Sequence, residues 1–577
     1  MNRLYNSMMK NYSIADLKKD TISGLTVGMI AIPLAMAFAT ASGVRPEYGI
    51  YTAIIAGILI SVFGGSKYQI GGPTGAFVPV VLGIVTIYGY EDLLIAGLLA
   101  GFMLVFMGLF KLGSLIKFMP RPVTVGFTAG IAVIIFTGQI ANFLGMSSIE
   151  QHPQFLMNIR EIWNHLHLVN FSSVFIAVLC LIIILITPKL FPKVPGAIVG
   201  LIASTIVATL FFSNQIPTIG STFGSIPSTL PDFQFPDLSW ERIQPLLVPA
   251  FTIAALGGIE SLLSAVVADG MTNSKHHSNR ELMGQGIANI VTPLFGGIPA
   301  TGAIARTATN IKTGAVSRMS GVFHGVFVLL TLLLFAPYAS HIPLASMAPV
   351  LMIVAWNMSD RRHFAHLLKL KTSDSLILVV TFLLTVFTTI TTAVMIGLIL
   401  ALILFAKRMS NLLVVSKVLP DPSLKNKPVE SYMVDATRDC PQIEIYTIEG
   451  PLFFGAAQVF EQRVMDSIHY RPNVLIFRMG KVPFMDATGI ANFSNVVNHF
   501  QKQGGTILLT GISPYLKEIL QSSDLYEKIG DENVFEHTGQ AIDHAISIID
   551  HPKCKGCKHF AFQECQQLAA GEKLAVK

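Results

Sequence analysis

The sequence predicts a polytopic α-helical membrane protein of about fourteen spans, built as two inverted seven-span repeats and followed by a small α/β domain. Three observations carry that prediction. The 577 residues are 52% hydrophobic and 13% charged, with a mean hydropathy of +0.60, whereas a soluble globular domain averages about 25% charged residues. Apolar runs of roughly 15–20 residues recur from Thr21 to Phe405. Two runs in matching positions are broken by similar motifs, Gly71-Gly72-Pro73-Thr74-Gly75-Ala76-Phe77 and Gly296-Gly297-Ile298-Pro299-Ala300-Thr301-Gly302-Ala303.

In chain order, a polar N-terminus (1–20) lacks the basic start and cleavage site of a signal peptide. A transmembrane region (21–410) follows, with spans near 22–42, 49–64, 74–88, 92–110, 123–145, 172–187, 195–213, 244–268, 284–295, 301–312, 319–336, 345–357, 374–391 and 393–408. The third, ninth, tenth and twelfth are too short to cross a ~30 Å hydrocarbon core alone. Those nearest the breaker motifs are among them. The net charge of +6 is small and sits in short loops, so it bears on orientation in a lipid bilayer and not on nucleic acid. One set of alternate loops carries Lys67, Lys111, Lys117, Arg121, Lys189, Lys193, Lys275, Arg280, Lys312, Arg318, Arg361, Arg362, Lys369 and Lys371. The opposite set carries Arg160 and Arg242. With an even span count, the positive-inside rule puts both termini in the cytoplasm of a multi-pass cell-membrane protein. The Pro-, Ser- and Gly-rich loop Ser213–Trp240 marks the midpoint between the repeats.

After Lys407-Arg408 a polar linker (411–440) leads to a domain at 441–550. Short strands at 443–446, 474–477 and 506–510 alternate there with helices at 456–469, 487–503 and 514–522, the pattern of a small α/β domain. The last segment (551–577) reads as a polar tail holding three of the five cysteines, which is no secreted disulfide framework.

The breakers predict the site. Gly-Gly-x-Pro removes helical hydrogen bonds, and in lipid the freed groups persist only where protein or a cavity satisfies them. Thr301 onward is therefore expected to be a half-helix whose N–H groups at Thr301, Gly302 and Ala303 attract an anion. Thr74, Gly75, Ala76 and Phe77 are expected to do the same in the first repeat. Paired interrupted segments are the sequence pattern of a secondary-transporter site.

Pro46-Glu47-Tyr48-Gly49-Ile50-Tyr51 and the closing Gly64-Gly65-Ser66-Lys67 resemble the signature of the SulP anion transporters, which include the animal sulfate, chloride and bicarbonate carriers. Ile50 stands where that family usually has Leu. Gly258-Ile259-Glu260-Ser261, Glu281-Leu282-Met283-Gly284-Gln285-Gly286 and the 296–306 stretch extend the resemblance, and the soluble region is similar to the family's STAS domain. The resemblance implies a core domain (spans 1–4 and 8–11) rocking against a gate domain (spans 5–7 and 12–14). It also implies a homodimer.

Glu260 is an acid inside the eighth span. It is either a neutral buried or snorkelling carboxyl, or a group that binds and releases a proton. In the resembled family an acid here is associated with H⁺ or Na⁺ coupling. Ser264, one turn on, could hydrogen-bond it or complete a Na⁺ site. Arg306 either pairs with an acid such as Glu260 or adds positive charge beneath the anion; the two are compatible. Family members similar to bicarbonate carriers often lack a base there. In the first span Leu34 replaces a common Gln, which removes one polar contact, and Phe38 with Phe77 is expected to wall the pocket.

The transport reading is proton-coupled uptake of sulfate, with C4-dicarboxylate, bicarbonate or Na⁺-coupled symport as alternatives. Phe484-Met485-Asp486-Ala487-Thr488-Gly489 resembles the loop of soluble anti-anti-sigma proteins, but Ala487 replaces their phosphorylated Ser. A signalling membrane regulator is thereby disfavoured, and no HExxH, P-loop or nucleophile elbow suggests an enzyme. No cofactor is expected. Cys554, Cys557, His559 and Cys565 have zinc-ligand types, but the expected state is a reduced, disordered tail.

Overall fold

The structure is a computed structural model that describes residues 12–114, 119–146, 149–150, 152, 154–192, 194–213, 215–229, 231–420, 429–430, 434, 438–467 and 472–570. Expectations touching 1–11, Lys117, Lys193, Pro422, Pro428, 468–469 and 571–577 lie outside the described residues. Two compact units divide the chain after Ala401.

The first unit is helical, and each expected span has its helix. They are α1 (Ile14–Ala41), α2 (Pro46–Phe63), α3 (Val78–Tyr88), α4 (Tyr90–Leu109), α5 (Arg121–Gly138), α6 (Phe171–Leu190), α7 (Gly196–Phe211), α8 (Trp240–Thr272), α9 (Ser278–Val291), α10 (Ile304–Lys312), α11 (Met319–Ala339), α12 (Leu344–Met358), α13 (Ser373–Phe387) and α14 (Ile390–Ser410). Among the described residues eight are long and apolar enough to cross a membrane unaided. Strand β1 (Gly71–Gly72) precedes α3, and β2 (Thr301–Gly302) precedes α10. The two strands pair antiparallel, Gly71 with Gly302 and Gly72 with Thr301. That pairing is what two repeats of opposite orientation produce where their broken spans meet. Packing divides as expected: α1, α2, α4, α8, α9, α10 and α11 associate chiefly with one another, and α5, α6, α7, α12 and α13 form a second group.

Several boundaries move. The first helix begins at Ile14, so 14–20 is helical and continuous with the first span. A capping box between Ser13 and Asp16 starts it there. Buried Asp20 then accepts from the Val316 and Ser317 amides at 2.8 and 3.2 Å, which ties α1 to the start of α11. Short helices Phe155–Asn164 and Arg361–Lys369 lie in loops between the expected spans. Arg45 adds a third cation to the sparse loop set and pairs with Glu47 at 2.6 Å. The asymmetry between the two sets stays large.

The second unit is a sheet of five strands: β3 (Val414–Lys417), β4 (Ile443–Glu449), β5 (Val474–Lys481), β6 (Thr506–Thr510) and β7 (Val534–Phe535), hydrogen-bonded in that order. The β3–β4 pair is antiparallel and the others are parallel. Helices α15 (Ala457–Ser467), α16 (Ala487–Lys502), α17 (Pro514–Ser522) and α18 (Thr538–Ile548) cover the sheet. Parallel strands require crossovers, and buried helices on both faces explain their near-continuous apolar runs. Two expectations are corrected. The linker already contains β3, an edge strand, so the domain begins before 441. The tail is not disordered as far as Ala570: Ala561, Phe562 and Leu568 are buried against Ile443, Ile476 and Leu508, and Cys565–Ala570 forms α19.

Candidate functional site

The site is built on the β1–β2 crossing. Breakers free backbone groups, and side chains from neighbouring spans satisfy them. Tyr90 donates to the Gly296 carbonyl at 2.6 Å. Thr52 accepts from the Ile298 amide at 2.7 Å. The Asn289 amide pairs with both sides of Ala300, at 2.8 and 2.9 Å, as a strand would. The crossing is tight, since a Cβ on Gly302 would collide with the side-chain amide of Gln69. Buried Glu281 accepts from the Gly65 and Ser66 amides at 2.7 and 2.9 Å and from Gln285 at 2.8 Å, anchoring α9 to the loop after α2.

The second half-helix begins later than expected. Thr301 and Gly302 lie in β2, and the Ala303 amide donates to the Ile70 carbonyl at 2.9 Å. The Ala303 amide is therefore not a free donor, while the alternation of an antiparallel pair turns the Gly302 amide away from β1. Helix α10 starts at Ile304, so the unpaired first-turn amides are those of Ile304, Ala305 and Arg306. In the first repeat a 3₁₀ turn, Gly75–Phe77, leads into α3. The Thr301 hydroxyl points away, donating to the Gly257 carbonyl at 2.8 Å.

The charged pair meets at this crossing. Thr74 Oγ1 donates to Glu260 Oε2 at 2.9 Å, which joins α8 to the first breaker. Arg306 is buried, its Nη2 donates to the Pro73 carbonyl, and its Nη1 has no protein partner. The Nη1 atom sits where a Cβ on Gly72 would be, 2.6 Å away, and Gly72 has φ +147°. A side chain at 72 would displace the guanidinium and strain the backbone. Glu260 and Arg306 attract one another electrostatically, but the nearest polar partner of each is the first breaker.

Ser264 does not reach Glu260. Its hydroxyl donates to Thr307 Oγ1 at 3.2 Å, and Thr307 accepts from the Ile70 amide at 3.1 Å. Phe38 closes one side: a Cβ on Gly75 would be 3.3 Å from Phe38, 3.2 Å from Ile135 and 3.5 Å from Met358, so α1, α5 and α12 converge here. Phe77 packs toward Gly257 on α8. Ala76 is fully buried and Ala303 nearly so. His324 on α11 escaped the sequence reading. It is fully buried, neither ring nitrogen has a partner, and it is within electrostatic reach of Arg306. A lone histidine in an apolar run carries no signal of this.

One cavity of about 870 Å³ is largely apolar and is bordered by Met29, Pro33, Ile198, Thr205 and Phe327, with none of the site residues. It is a crevice between spans and has no chemistry for an anion. In the second unit Asp486 caps α16, accepting from the Gly489 amide at 2.8 Å and from the Phe454 amide at 3.0 Å. Ala487 is the first residue of that helix, where the resembled loop has its serine. Among the described residues no three His, Cys, Asp or Glu side chains stand ready to hold a metal ion.

Comparison with known proteins agrees with this architecture. The sulfate permease family matches residues 17–381 and the STAS domain matches 436–541. YvdB of Bacillus subtilis (strain 168), provisionally named a sulfate transporter, is 53% identical over 533 residues, covering 92% of this chain and 98% of YvdB. The bicarbonate transporter BicA of Picosynechococcus is 28% identical over 559 residues, covering 92% and 95%. Among solved structures, the murine Solute Carrier 26 family member A9 anion transporter in the inward-facing state superposes with a TM-score of 0.85 over 95% of each chain at 17% identity. The transmembrane domain of a cyanobacterial BicA gives 0.60 at 29% identity, covering 68% of this chain and 98% of that one. With its paired half-helices, its acid and base at their crossing and its C-terminal α/β domain, the chain belongs to the sulfate permease family of membrane anion transporters and carries a STAS domain.

Proposed function

We propose that the protein takes up a sulfate-class anion together with protons, by alternating access of the core domain against the gate. One observation carries the reading: a buried guanidinium with an unpartnered Nη1 stands at the crossing of two half-helices, beside a carboxyl held by Thr74. Two helix N-termini and one arginine suit an oxyanion of charge two. Thr74, Gly75, Ala76, Phe77, Thr301, Gly302, Ala303, Arg306 and Phe38 are proposed to surround it. Glu260 is the proposed coupling group, and Ser264, bonded to Thr307 at the same crossing, is the second candidate for a cation site. The YvdB similarity favours sulfate. Arg306 disfavours bicarbonate, although BicA is a relative; a C4-dicarboxylate has the same charge and is the competing substrate.

The dense cationic loops support a cell-membrane placement with both termini and the STAS domain in the cytoplasm. The family resemblance supports a homodimer. Purified protein in liposomes should accumulate sulfate under an imposed inward proton gradient and not under a Na⁺ gradient. Accumulation driven only by Na⁺ would transfer the coupling role to a sodium ion. Malate or succinate displacing sulfate as the better substrate would replace the substrate.

A further inference from the structure

We propose that Cys440, Cys554, Cys557 and Cys565 of the C-terminal domain form a four-cysteine site for one zinc ion, which clips the C-terminal segment to the chain just before β4. This goes beyond the transport reading and does not depend on it.

The four cysteines come from three places in the chain and line one small cavity with His559 and Gln442. Cys440 lies just before β4, Cys554 and Cys557 flank a turn closed by the Cys557 amide donating to the Cys554 carbonyl at 3.0 Å, and Cys565 opens α19. Within that turn Gly556 has φ +75°, the conformation that lets a Cys-x-x-Cys hairpin present both sulfurs to one side. The cavity volume is about 20 Å³, room for one water or ion. A cluster of several atoms would not fit.

Every one of the four sulfurs already receives N–H donors. The Gln442 and Ile443 amides serve Cys440. Gln442 Nε2 lies 3.3 Å from Cys554 Sγ. The His559 amide is 3.4 Å from Cys557 Sγ, and the Phe562 amide is 3.4 Å from Cys565 Sγ. Amide donors beside the sulfurs favour the thiolate form. A divalent cation among four sulfurs that line one cavity favours their thiolate form outright. Soft sulfur ligands in a closed set of four select zinc.

All four cysteines are free, and no three of them stand at ligating distance around one point. Binding therefore requires rotamer changes at the sulfurs, and the metal and the final local order arrive together. Lys555 and Lys558 beside the turn offset the charge of minus two that a zinc tetrathiolate carries.

The full-length protein, purified in detergent under reducing conditions without chelator, is assayed for metal by mass spectrometry. About one zinc per chain is expected, falling to background in Cys440→Ser and in Cys565→Ser but unchanged in Cys180→Ser. Serine variants that fail to fold leave a wild-type measurement decisive. A strong chelator should accelerate alkylation of the tail thiols by about tenfold or more, and added zinc should reverse it. Protein that holds no zinc after incubation with it, and whose thiols alkylate equally fast with and without chelator, overturns the proposal. Visible absorption from bound iron, or a Cys–Cys crosslink among the four, would also overturn it.

Discussion

Glu260 accepts a hydrogen bond from Thr74 and faces Arg306 across the first breaker, so its charge bears directly on an anion held there. At an effective dielectric of about 20 and a separation of about 6 Å, one unit pair is worth roughly 3 kcal/mol. At the proposed site that would couple proton and anion binding by about two orders of magnitude. The protonated acid no longer repels the anion, so uptake should rise as outside pH falls. Glu260→Gln imitates the protonated form and keeps an acceptor for Thr74. It should still exchange anion across the membrane but lose accumulation, and its pH dependence should flatten; a mutant that still concentrates substrate under a pH gradient would move the proton elsewhere. Arg306→Ala removes a charge-assisted contact worth about 1.5–3 kcal/mol, so transport should require roughly 10–100-fold more substrate with expression retained. Arg306→Lys should recover only part of this, because an ammonium cannot serve the Pro73 carbonyl and the anion as a fork does. Loss of folded protein in both variants would make Arg306 a purely structural residue.

At the level of elements, the two broken spans were legible in sequence because Gly71-Gly72-Pro73 and Gly296-Gly297-Ile298-Pro299 interrupt apolar runs, where such breakers have few other uses. The Glu260–Arg306 charges were legible because ionisable residues rarely enter a span without a role. The start of the second half-helix was not legible. Local composition permits a helix from Thr301, but strand pairing with Gly71–Gly72 takes Thr301 and Gly302, and that partner lies some 230 residues away in sequence. Ser264 was misplaced for the same reason, since Thr307 reaches it only once the repeats have crossed. The crossing has a strict steric requirement at Gly302, where even a methyl collides with Gln69. Gly302→Ala should abolish transport and lower the yield of folded protein, whereas Gly138→Ala in α5, with open space around it, should be silent in both assays. Equal behaviour of the two would mean that the crossing relaxes easily. If the anion sits against the start of α10, Cys at Ala303 should react with a small thiol reagent and substrate should protect it. Labelling that ignores substrate would place the anion elsewhere.

Across the whole molecule, the domain order along the chain was readable from composition, but the limits of the STAS domain were not. Strand β3 hides because its Val414-Val415 continues the apolar Leu412-Leu413 that follows α14, with no break between them to mark a new element. The C-terminal segment hides because few of its described residues, Ala561, Phe562 and Leu568, are buried, and they pack on strands more than fifty residues earlier. Those few side chains matter energetically. Burying Phe562 and Leu568 is worth about 1.5–3 kcal/mol each, against a total domain stability of roughly 5–15 kcal/mol. Removing residues 551–577 should therefore leave Ile443, Ile476 and Leu508 facing water on one side of the sheet. In the otherwise complete protein, amide hydrogen exchange in β4, β5 and β6 should accelerate by at least tenfold, while the amides of α8 and α10 keep their protection. Transport per surviving molecule should be unchanged if the segment serves only the fold of its own domain. Unaltered exchange in the sheet would show that the segment is not part of the core, and a fall in transport per molecule with the sheet still protected would give the segment a direct part in the transport cycle.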